Sequence, residues 1–438
     1  MGDEERGKPT GLTRRSAMAA MAAGAGVAAA APWARGEGAA GAARPRIAAL
    51  TTEYRKTSHG QGIIDRFMDG YGWGGRFHHP AFDVVSLYVD QRPKGDLTDE
   101  RAARHPNLTV YPTIAEALTR GTDSLAVDGV AIIGEHGHYL RDEKGRTHYP
   151  RYEFFQQVVE VFKRTGKSVP VFNDKHLSWN WEWARSMYDT AREMGFAFMA
   201  GSSLPVTWRI PELETPKDAP IREAVCVGYG GVDSYDFHGL ESLQCMIERR
   251  RGGETGVSAV EVLRGDSVWK YLSENKPTRE LFDACLCRSF SLRSPRPGYG
   301  HVFPELDQMG GLARDPLLYR ITYNDGVIGC LFMMSGLVQD FTVAMRLEDD
   351  SPILSTQLNL PGLAPGQTLP NFFSALAHHI ETLFLTGKSP YPVERTLLTT
   401  GIGCAAVDLL ADGRPRMETP HLSAIAYQPP VESQFMRS

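Results

Sequence analysis

The segment from Arg46 to about Gly201 alternates short apolar runs with amphipathic stretches, and this pattern limits the fold more than any other feature. Apolar runs of strand length occupy residues 47–52, 82–90, 128–134, 168–173 and 196–201. Stretches with helical periodicity lie between them, at residues 58–68, 113–118, 152–164 and 182–195. Such alternation predicts βαβ units and an α/β fold with a parallel, doubly wound sheet.

Local signals mark where several of these helices begin and end. Ser58 and Gln61 form a capping box ahead of an apolar helical face, and Thr113 and Glu116 form a similar pair. Gly195 is the residue type that usually closes a helix. These signals support the predicted helices independently of their periodicity.

The predicted strands end in unusually polar sequence. The polar ends are residues 53–58, Asp90, residues 135–138, residues 173–176 and residues 202–203. Ligands of doubly wound sheets bind outside the carboxyl ends of the strands. We therefore expect these residues to converge on one binding edge.

Composition excludes several other classes of protein. The chain has 438 residues, of which 42% are hydrophobic and 23% charged, which is typical of a globular protein of two or three domains. Its 47 basic and 52 acidic residues give a net charge of −5, so we expect no nucleic-acid partner. Six cysteines are too few for a disulfide scaffold in a chain of this length, and the Cys285-Leu286-Cys287 spacing is poor for zinc.

The first 44 residues have the features of an export signal. Arg14 and Arg15 precede an uncharged, Ala-rich stretch at residues 16–33, which resembles a twin-arginine signal. We expect cleavage between Ala31 and Arg44 and a periplasmic or extracellular mature protein; a disordered tail is the alternative. Since no later apolar run approaches membrane length, we predict no membrane span in the mature chain.

Three colinear motifs resemble the Gfo/Idh/MocA family of oxidoreductases. They are VFNDKHLS (171–178) followed by MAGSSL (199–204), GGVDSYDFHGLE (230–241) and GKSPYPVERTLLTTGI (387–402). The resemblance implies a Rossmann-like domain at residues 45–205, followed at 206–438 by an α/β domain with a large open, mostly antiparallel sheet. It also implies a homo-oligomer formed through the sheet of the second, C-terminal domain.

The resemblance assigns catalytic roles to residues in two of these motifs. Lys175 corresponds to the family's substrate-contacting lysine, and His238 to its acid–base histidine. The spacing in this chain leaves open whether Asp233 or Asp236 orients His238. The family's Glu-Lys-Pro reads Asp174-Lys175-His176 here, so Asp174 and His176 are candidate substrate contacts.

A nicotinamide cofactor, NAD or NADP, is implied by the family, but the glycine loop that would bind it is altered. The family carries G-x-G-x-x-G after the first strand, whereas residues 52–62 read TEYRKTSHGQG. Arg55 and Lys56 are either phosphate contacts or solvated loop charges. We expect weak or absent exchange of free NAD. The candidate cofactor-binding residues are Ser58, Gly60, Gly62, Asp90, Glu135 and His136.

A divalent metal is the alternative cofactor. His136, His138 and His176 could bind one together with an acidic residue, or they could contact cofactor or substrate directly.

His138, Trp208 and Arg209 are further candidate substrate contacts. The adjacent pairs His78-His79 and His378-His379 are interpreted as structural. The tryptophans at 179, 181 and 183 are interpreted mainly as core packing.

These observations support two enzymatic hypotheses and one non-enzymatic hypothesis. The first is an exported oxidoreductase that transfers hydride from a sugar, polyol or glycoside to a tightly bound nicotinamide, with His238 and Lys175 assisting. The second is a non-redox lyase or isomerase for keto-sugars on the same fold, assisted by a metal or not. The third is a sugar-binding protein without catalysis.

Overall fold

The first sheet of the molecule has six parallel strands in the order β5-β4-β1-β6-β7-β8. The strands are β1 (Arg46–Glu53), β4 (Asp83–Gln91), β5 (Thr109–Val110), β6 (Gly129–Ile133), β7 (Val171–Asp174) and β8 (Phe198–Gly201), and the short hairpin β2 (Tyr71–Trp73) and β3 (Arg76–His78) stands apart. The chain order across the sheet reverses between β1 and β6, as in dinucleotide-binding folds. The predicted doubly wound parallel sheet is confirmed.

A computed structural model describes residues 43–296, 304–348, 351–360 and 371–437. The predicted export signal lies outside these residues, apart from its last two positions. Arg44–Ser438 form one unit by their internal contacts. Among the described residues, no helix is both long and apolar enough to cross a membrane.

Four predicted helices of the first half lie within one residue of their predicted bounds: α1 (His59–Asp69), α3 (Ile114–Thr119), α4 (Arg151–Thr165) and α5 (Trp181–Met194). The first half also contains α2 (Thr98–Arg104). Ser58 caps α1 by accepting from the backbone N–H of Gln61, and Thr113 caps α3 by accepting from that of Glu116. Gly195 ends α5 with φ 70°. Helix α2, strand β5 and the hairpin escaped prediction because they are short and carry little periodicity.

Both faces of the first sheet are buried, as parallel sheets require. Along β1, Ala48 and Leu50 face a core formed with α3, α4 and α5, whereas Ile47 and Ala49 face a core formed with α1 and α10 (Phe373–Thr386). Helix α10 belongs to the segment that we assigned to the second domain. The end of the chain therefore returns to cover the first sheet and to bring its own side chains close to the binding edge.

The second sheet has eight strands in the order β16-β11-β12-β13-β10-β14-β15-β9, and only the β10–β13 pair is parallel. These strands are β9 (Arg209–Ile210), β10 (Ile221–Gly228), β11 (Val257–Arg264), β12 (Leu317–Tyr323), β13 (Ile328–Met333), β14 (Phe341–Leu347), β15 (Leu354–Leu358) and β16 (Arg416–Glu418). A large, mostly antiparallel sheet was predicted here and is confirmed.

Helices of this chain pack on both faces of the second sheet. On the side toward the first sheet lie α6 (Tyr235–Ile247) and α11 (Glu394–Asp412), and the short α12 (Pro420–Ser423) packs on β11. On the other side, α7 (Asp266–Glu274), α8 (Lys276–Leu286) and α9 (Leu306–Leu312) form a separate core with the sheet. The second sheet, through which we expected an oligomer contact, is thus partly covered by helices of the chain itself.

Candidate functional site

Lys175 lies immediately after β7, at the edge where the carboxyl ends of the parallel strands meet. Its backbone is left-handed, with φ 68°, and its N–H donates to the carbonyl of Gly201 at 3.1 Å. A lysine in this conformation costs about 1 kcal/mol or more, and such strain is concentrated at functional sites. The residue is 4% exposed, and its ammonium lies 2.7 Å from Nε2 of His238.

His238, in the first turn of α6, is held between Lys175 and Ser202. Oγ of Ser202 accepts from the backbone N–H of Leu204 and lies 2.6 Å from Nδ1 of His238. This pattern assigns the proton to Nδ1 and leaves the lone pair of Nε2 facing the Lys175 ammonium. Burial and the charge of Lys175 lower the pKa of His238 well below its ordinary value, so the ring is neutral and Nε2 can accept a proton.

Glu135, which follows β6, balances the positive charge of this pair. Its carboxylate lies 3.7 Å from the Lys175 ammonium and accepts a hydrogen bond from Arg151, the fully buried first residue of α4. Burial by itself would raise the pKa of Glu135, but the charges of Lys175 and Arg151 outweigh it and lower that pKa far below its ordinary value. Gly134 makes room for this arrangement, since a Cβ there would lie 2.6 Å from Cγ of Arg151.

His176 extends the cluster toward a small cavity. Its Nε2 accepts from Arg151 at 3.2 Å, and burial, together with the Arg151 charge, lowers its pKa well below the ordinary value. Its Nδ1 has no partner among the described residues. The residues lining the cavity include Arg146, His176, Trp179, Asp233, Asp236 and Phe237.

The crevice between β1 and β6, where dinucleotides bind in this kind of sheet, is crossed by His59. Nδ1 of His59 lies 2.6 Å from Oδ2 of Asp174, and its ring centroid is 5.4 Å from that of His136. His136 follows β6 in a left-handed conformation, with φ 72°. Side chains that follow three neighbouring strands, β1, β6 and β7, thus meet across the crevice.

The predicted glycines lie inside helix α1 and not in an open loop. A Cβ on Gly60 would come within 2.6 Å of the carbonyl of Glu53, and one on Gly62 within 2.9 Å of the Phe373 ring. Both glycines therefore permit close packing of α1 on β1 and α10. Ser58, the third predicted cofactor contact in this region, caps the helix through the backbone N–H of Gln61.

Two charged residues near the predicted cofactor site, Arg55 and Asp90, have partners within the protein. Arg55 forms an ion pair with Glu53 at 2.7 Å. Asp90 accepts from the hydroxyls of Tyr88 at 2.8 Å and Tyr139 at 2.6 Å, next to the end of β4. Both residues therefore lie at the expected edge, where Arg55 pairs with Glu53 and Asp90 accepts hydrogen bonds from two tyrosines.

Neither aspartate predicted to orient His238 forms a hydrogen bond with it. Asp236 accepts from the backbone N–H groups of Ser234 and Phe237 and from the Tyr319 hydroxyl, so it fixes the start of α6. Asp233, with φ 58°, accepts from the N–H of Thr147. Burial, with the nearby Asp236 charge contributing, raises the pKa of Asp233 to about 7. Asp233 thereby places a weakly acidic group in the cavity beside His176.

Three predicted substrate contacts lie outside this cluster. The backbone of His138 pairs with the side chain of Gln91, and its own side chain is exposed. Trp208 borders an open depression beside the β2–β3 hairpin. Arg209 is buried, donates to the carbonyl of Leu213 and lies over the Phe435 ring.

The metal alternative at the strand ends is not supported. Within the described ranges, His136, His138 and His176 do not form a set of ligand atoms close enough to hold one ion. His176 instead accepts from Arg151, and His138 is exposed. The three tryptophans, which we interpreted mainly as core packing, are half-buried. Trp179 stacks on His148, Trp183 stacks on Tyr152, and Trp181 lies tilted against His421.

Sequence reasoning missed three residues of the cluster. Ser202 follows β8 and belongs to a polar strand end, so its position, but not its contact with His238, was visible in the sequence. His59 stands next to the N-cap of α1 and gives no further signal. Arg151 belongs to no recognisable motif. Its role depends on Gly134 and Glu135, which follow β6 and lie against it in the folded chain.

Solved structures with a similar fold include a protein from gentamicin A biosynthesis and inositol dehydrogenases. GenD2 from gentamicin A biosynthesis, in complex with NAD, is 13% identical with a TM-score of 0.52; the match covers 86% of this chain and 97% of GenD2. A probable dehydrogenase from Thermotoga maritima is 11% identical with a TM-score of 0.52, and myo-inositol 2-dehydrogenase from Lactobacillus plantarum is 10% identical with a TM-score of 0.50. Each of these two matches covers 86% of this chain and 99% of the other.

No protein-family model and no curated protein sequence matches the chain. At these identities, the structural comparisons establish the fold and not the activity. The two-domain fold expected from the resemblance to the Gfo/Idh/MocA oxidoreductases is confirmed.

Proposed function

We propose that this chain, which has the fold of the Gfo/Idh/MocA-type dehydrogenases, is an enzyme that moves a proton to or from a sugar-like substrate. Lys175 and His238 are the proposed acid–base pair. The observation that carries the proposal is the 2.7 Å contact between the Lys175 ammonium and Nε2 of a neutral, buried His238. A buried histidine with a strongly lowered pKa, in contact with a lysine at a strand-end edge, is typical of catalytic sites.

The pair has complementary roles toward a substrate hydroxyl. A hydroxyl placed against both groups would give its proton to Nε2 of His238, while Ser202 holds the ring through Nδ1. The Lys175 ammonium would stabilise the negative charge that develops on the substrate oxygen. Glu135, which accepts a hydrogen bond from Arg151, lies 3.7 Å from the ammonium and holds it in place.

The substrate class is proposed from the fold. The small cavity beside His176 has room for a water-sized group and not for a sugar ring. Its lining, which includes Arg146, His176 and Asp233, offers hydrogen bonds next to the proposed pair. A solved structure of similar fold is named a myo-inositol 2-dehydrogenase, which agrees with this substrate class.

The shared fold supports an oxidoreductase reaction, in which a nicotinamide would accept or supply the hydride. The residues described at the β1–β6 crevice do not fit that cofactor. His59 spans the crevice to Asp174 and His136, and the glycines that would admit a pyrophosphate pack inside α1. We therefore assign no step of the reaction to a nicotinamide.

A non-redox lyase or isomerase acting on a keto-sugar is the second candidate, and the crossed crevice favours it. His238 would then remove a proton from the carbon next to the carbonyl, and Lys175 would stabilise the resulting oxyanion. This reaction needs no hydride acceptor. It uses the same pair of residues and the same cavity.

One experiment separates the two reaction classes. Purified protein is denatured, and the extract is assayed for nicotinamide by absorbance and mass spectrometry, while the native protein is incubated with polyols and keto-sugars. Stoichiometric nicotinamide together with polyol oxidation would establish the oxidoreductase. Turnover of a keto-sugar by protein without nicotinamide would establish the second candidate. Absence of turnover on both panels, with wild-type protein indistinguishable from His238→Ala, would contradict the proposal.

We further propose that the mature enzyme is exported and forms a homo-oligomer. The support for export is the Arg14-Arg15 pair ahead of the uncharged stretch at 16–33. Replacing both arginines with lysine should leave precursor in the cytoplasm, which cell fractionation measures; unchanged export would contradict the proposed signal.

Light scattering of the mature protein tests the proposed homo-oligomer, and a mass equal to one chain would contradict it.

A further inference from the structure

A second group of titratable side chains lies away from the proposed catalytic pair, between the β2–β3 hairpin and α10. Nε2 of His78, at the end of β3, is 2.6 Å from Oε2 of Glu381 on α10. His378 lies one helical turn before Glu381 and faces the same side. One ligand atom from each of the three residues lies within 4.8 Å of the other two.

The two adjacent histidine pairs of the sequence meet here, each contributing one residue. Successive side chains on a strand point in opposite directions, and neighbours on a helix diverge by about 100°. His78 and His378 therefore face each other, whereas His79 packs against Phe77 and His379 contacts the carbonyl of Gln434. The arrangement joins segments that are 303 residues apart, counted from His78 to Glu381.

The surroundings hold these side chains in place. The Tyr71 hydroxyl donates to Oε2 of Glu381 at 3.0 Å, and the N–H of Ala81 donates to Oε1 at 2.6 Å. The Trp73 ring stacks on His378 at 3.9 Å. Partners that fix the orientation of ligands in this way are typical of metal sites.

We propose that His78, His378 and Glu381 bind one divalent transition-metal ion, with zinc as the best match. Two imidazole nitrogens and one carboxylate oxygen are a donor set that zinc accepts, at about 2.0–2.2 Å from each atom. The ion would replace the His78–Glu381 hydrogen bond, and water would complete its coordination. Because Glu381 is almost fully buried while the side chain of His78 is 28% exposed, the ion reaches the site from the hairpin side.

The ion would connect the hairpin to the helix that covers the first sheet. Contacts between the hairpin and α10 otherwise depend on a few hydrogen bonds and ring contacts around Tyr71 and Trp73. None of the three ligands belongs to the Lys175–His238 cluster. Metal binding is therefore separable from the proposed reaction.

Titration of the untagged full-length protein with zinc, after removal of metals by a chelator, tests the site. We expect one ion per chain by calorimetry, and a visible spectrum of low-symmetry coordination when cobalt replaces zinc. His378→Ala and His78→Ala should each weaken zinc binding by at least about 100-fold, and Tyr71→Phe by about tenfold. The matched control, His79→Ala, should bind zinc like the wild type.

Two results would overturn the site. One is wild-type protein that binds no zinc at stoichiometric concentration, which would leave these residues as a hydrogen-bonded cluster only. The other is unchanged stoichiometric binding in both His78→Ala and His378→Ala, which would place the ion elsewhere. Circular dichroism of each variant shows that it is folded. His78, being partly exposed, is the ligand whose replacement disturbs packing least.

Discussion

The Lys175–His238 pair and the crevice around His59 lie at the same edge of the first sheet, but their side chains make different kinds of contact. At the pair, the buried side chains of Lys175 and His238 lie 2.7 Å apart, and the lone pair of Nε2 of His238 faces the Lys175 ammonium. At the crevice, His59, Asp174 and His136 contact one another across the place where a cofactor would lie. At one edge of one sheet, His238 thus leaves a nitrogen lone pair facing Lys175, whereas the side chains of the crevice are engaged with one another.

The largest expected effect is the loss of the acid–base pair. His238→Ala and Lys175→Met should each lower kcat by about 10²–10⁴-fold, because general acid–base catalysis contributes that much. Steady-state kinetics on the substrate found in the panel measure it. Lys144→Met and His421→Ala, at surface positions, serve as matched controls. Near-native turnover in both catalytic variants would remove the distinction between the two regions.

Removing the charge that balances the pair should reduce stability strongly. In Glu135→Gln, the buried Arg151 and Lys175 lose their carboxylate, and breaking such a pair costs about 3 kcal/mol of unfolding free energy or more. Urea denaturation measures it, with Glu143→Gln in the following loop as the control. A change below about 0.5 kcal/mol would mean that this carboxylate does not hold the cluster together.

Opening the crevice should make it more like a cofactor site. His59→Ala removes the side chain that reaches Asp174 and His136, so NAD should bind about tenfold more tightly than to the wild type, a difference of about 1.4 kcal/mol. Calorimetric titration with NAD and NADP measures it, with His105→Ala as the control. Micromolar binding to the wild-type protein would show that His59 does not close the crevice.

The smallest effect concerns the pH dependence of stability through Asp233. Its pKa of about 7 in the folded state lies above its ordinary value of 3.8, so the stability it contributes is present below pH 3.8 and is lost as the pH rises to about 7. Asp233→Asn should therefore gain stability relative to wild type, and the gain should be about 1 kcal/mol larger at pH 7 than at pH 6. Urea midpoints at both pH values measure it. An equal gain at the two pH values would contradict the raised pKa.

Much of the first half of the fold could be read from local sequence. The caps at Ser58 and Thr113 and the apolar runs of the longer strands lie close to their predicted positions. Strand β5, with two residues, carries no usable period, and the hairpin at Tyr71–His78 interrupts the alternation. Local patterns succeed where an element is long enough to show its period more than once.

The candidate site could be read only in part. Lys175 was predicted at a strand end because a polar residue follows an apolar run there, and His238 because its motif resembles that of a family. Arg151, His59 and Ser202 were missed or left without roles. Each of them acts through a partner that is distant in the sequence, such as Glu135 for Arg151 or Asp174 for His59.

Local sequence patterns predicted the alternation of strands and helices and the edge at which polar residues gather. The folded chain shows what those patterns do not specify: Lys175 and His238, 63 residues apart, meet at 2.7 Å, His59 reaches across the crevice, and His78 meets His378. The difference comes from the range of the interactions involved. Periodicity and capping arise from interactions within about four residues. Contacts between distant segments depend on which faces the elements bury against one another, and no local pattern specifies this.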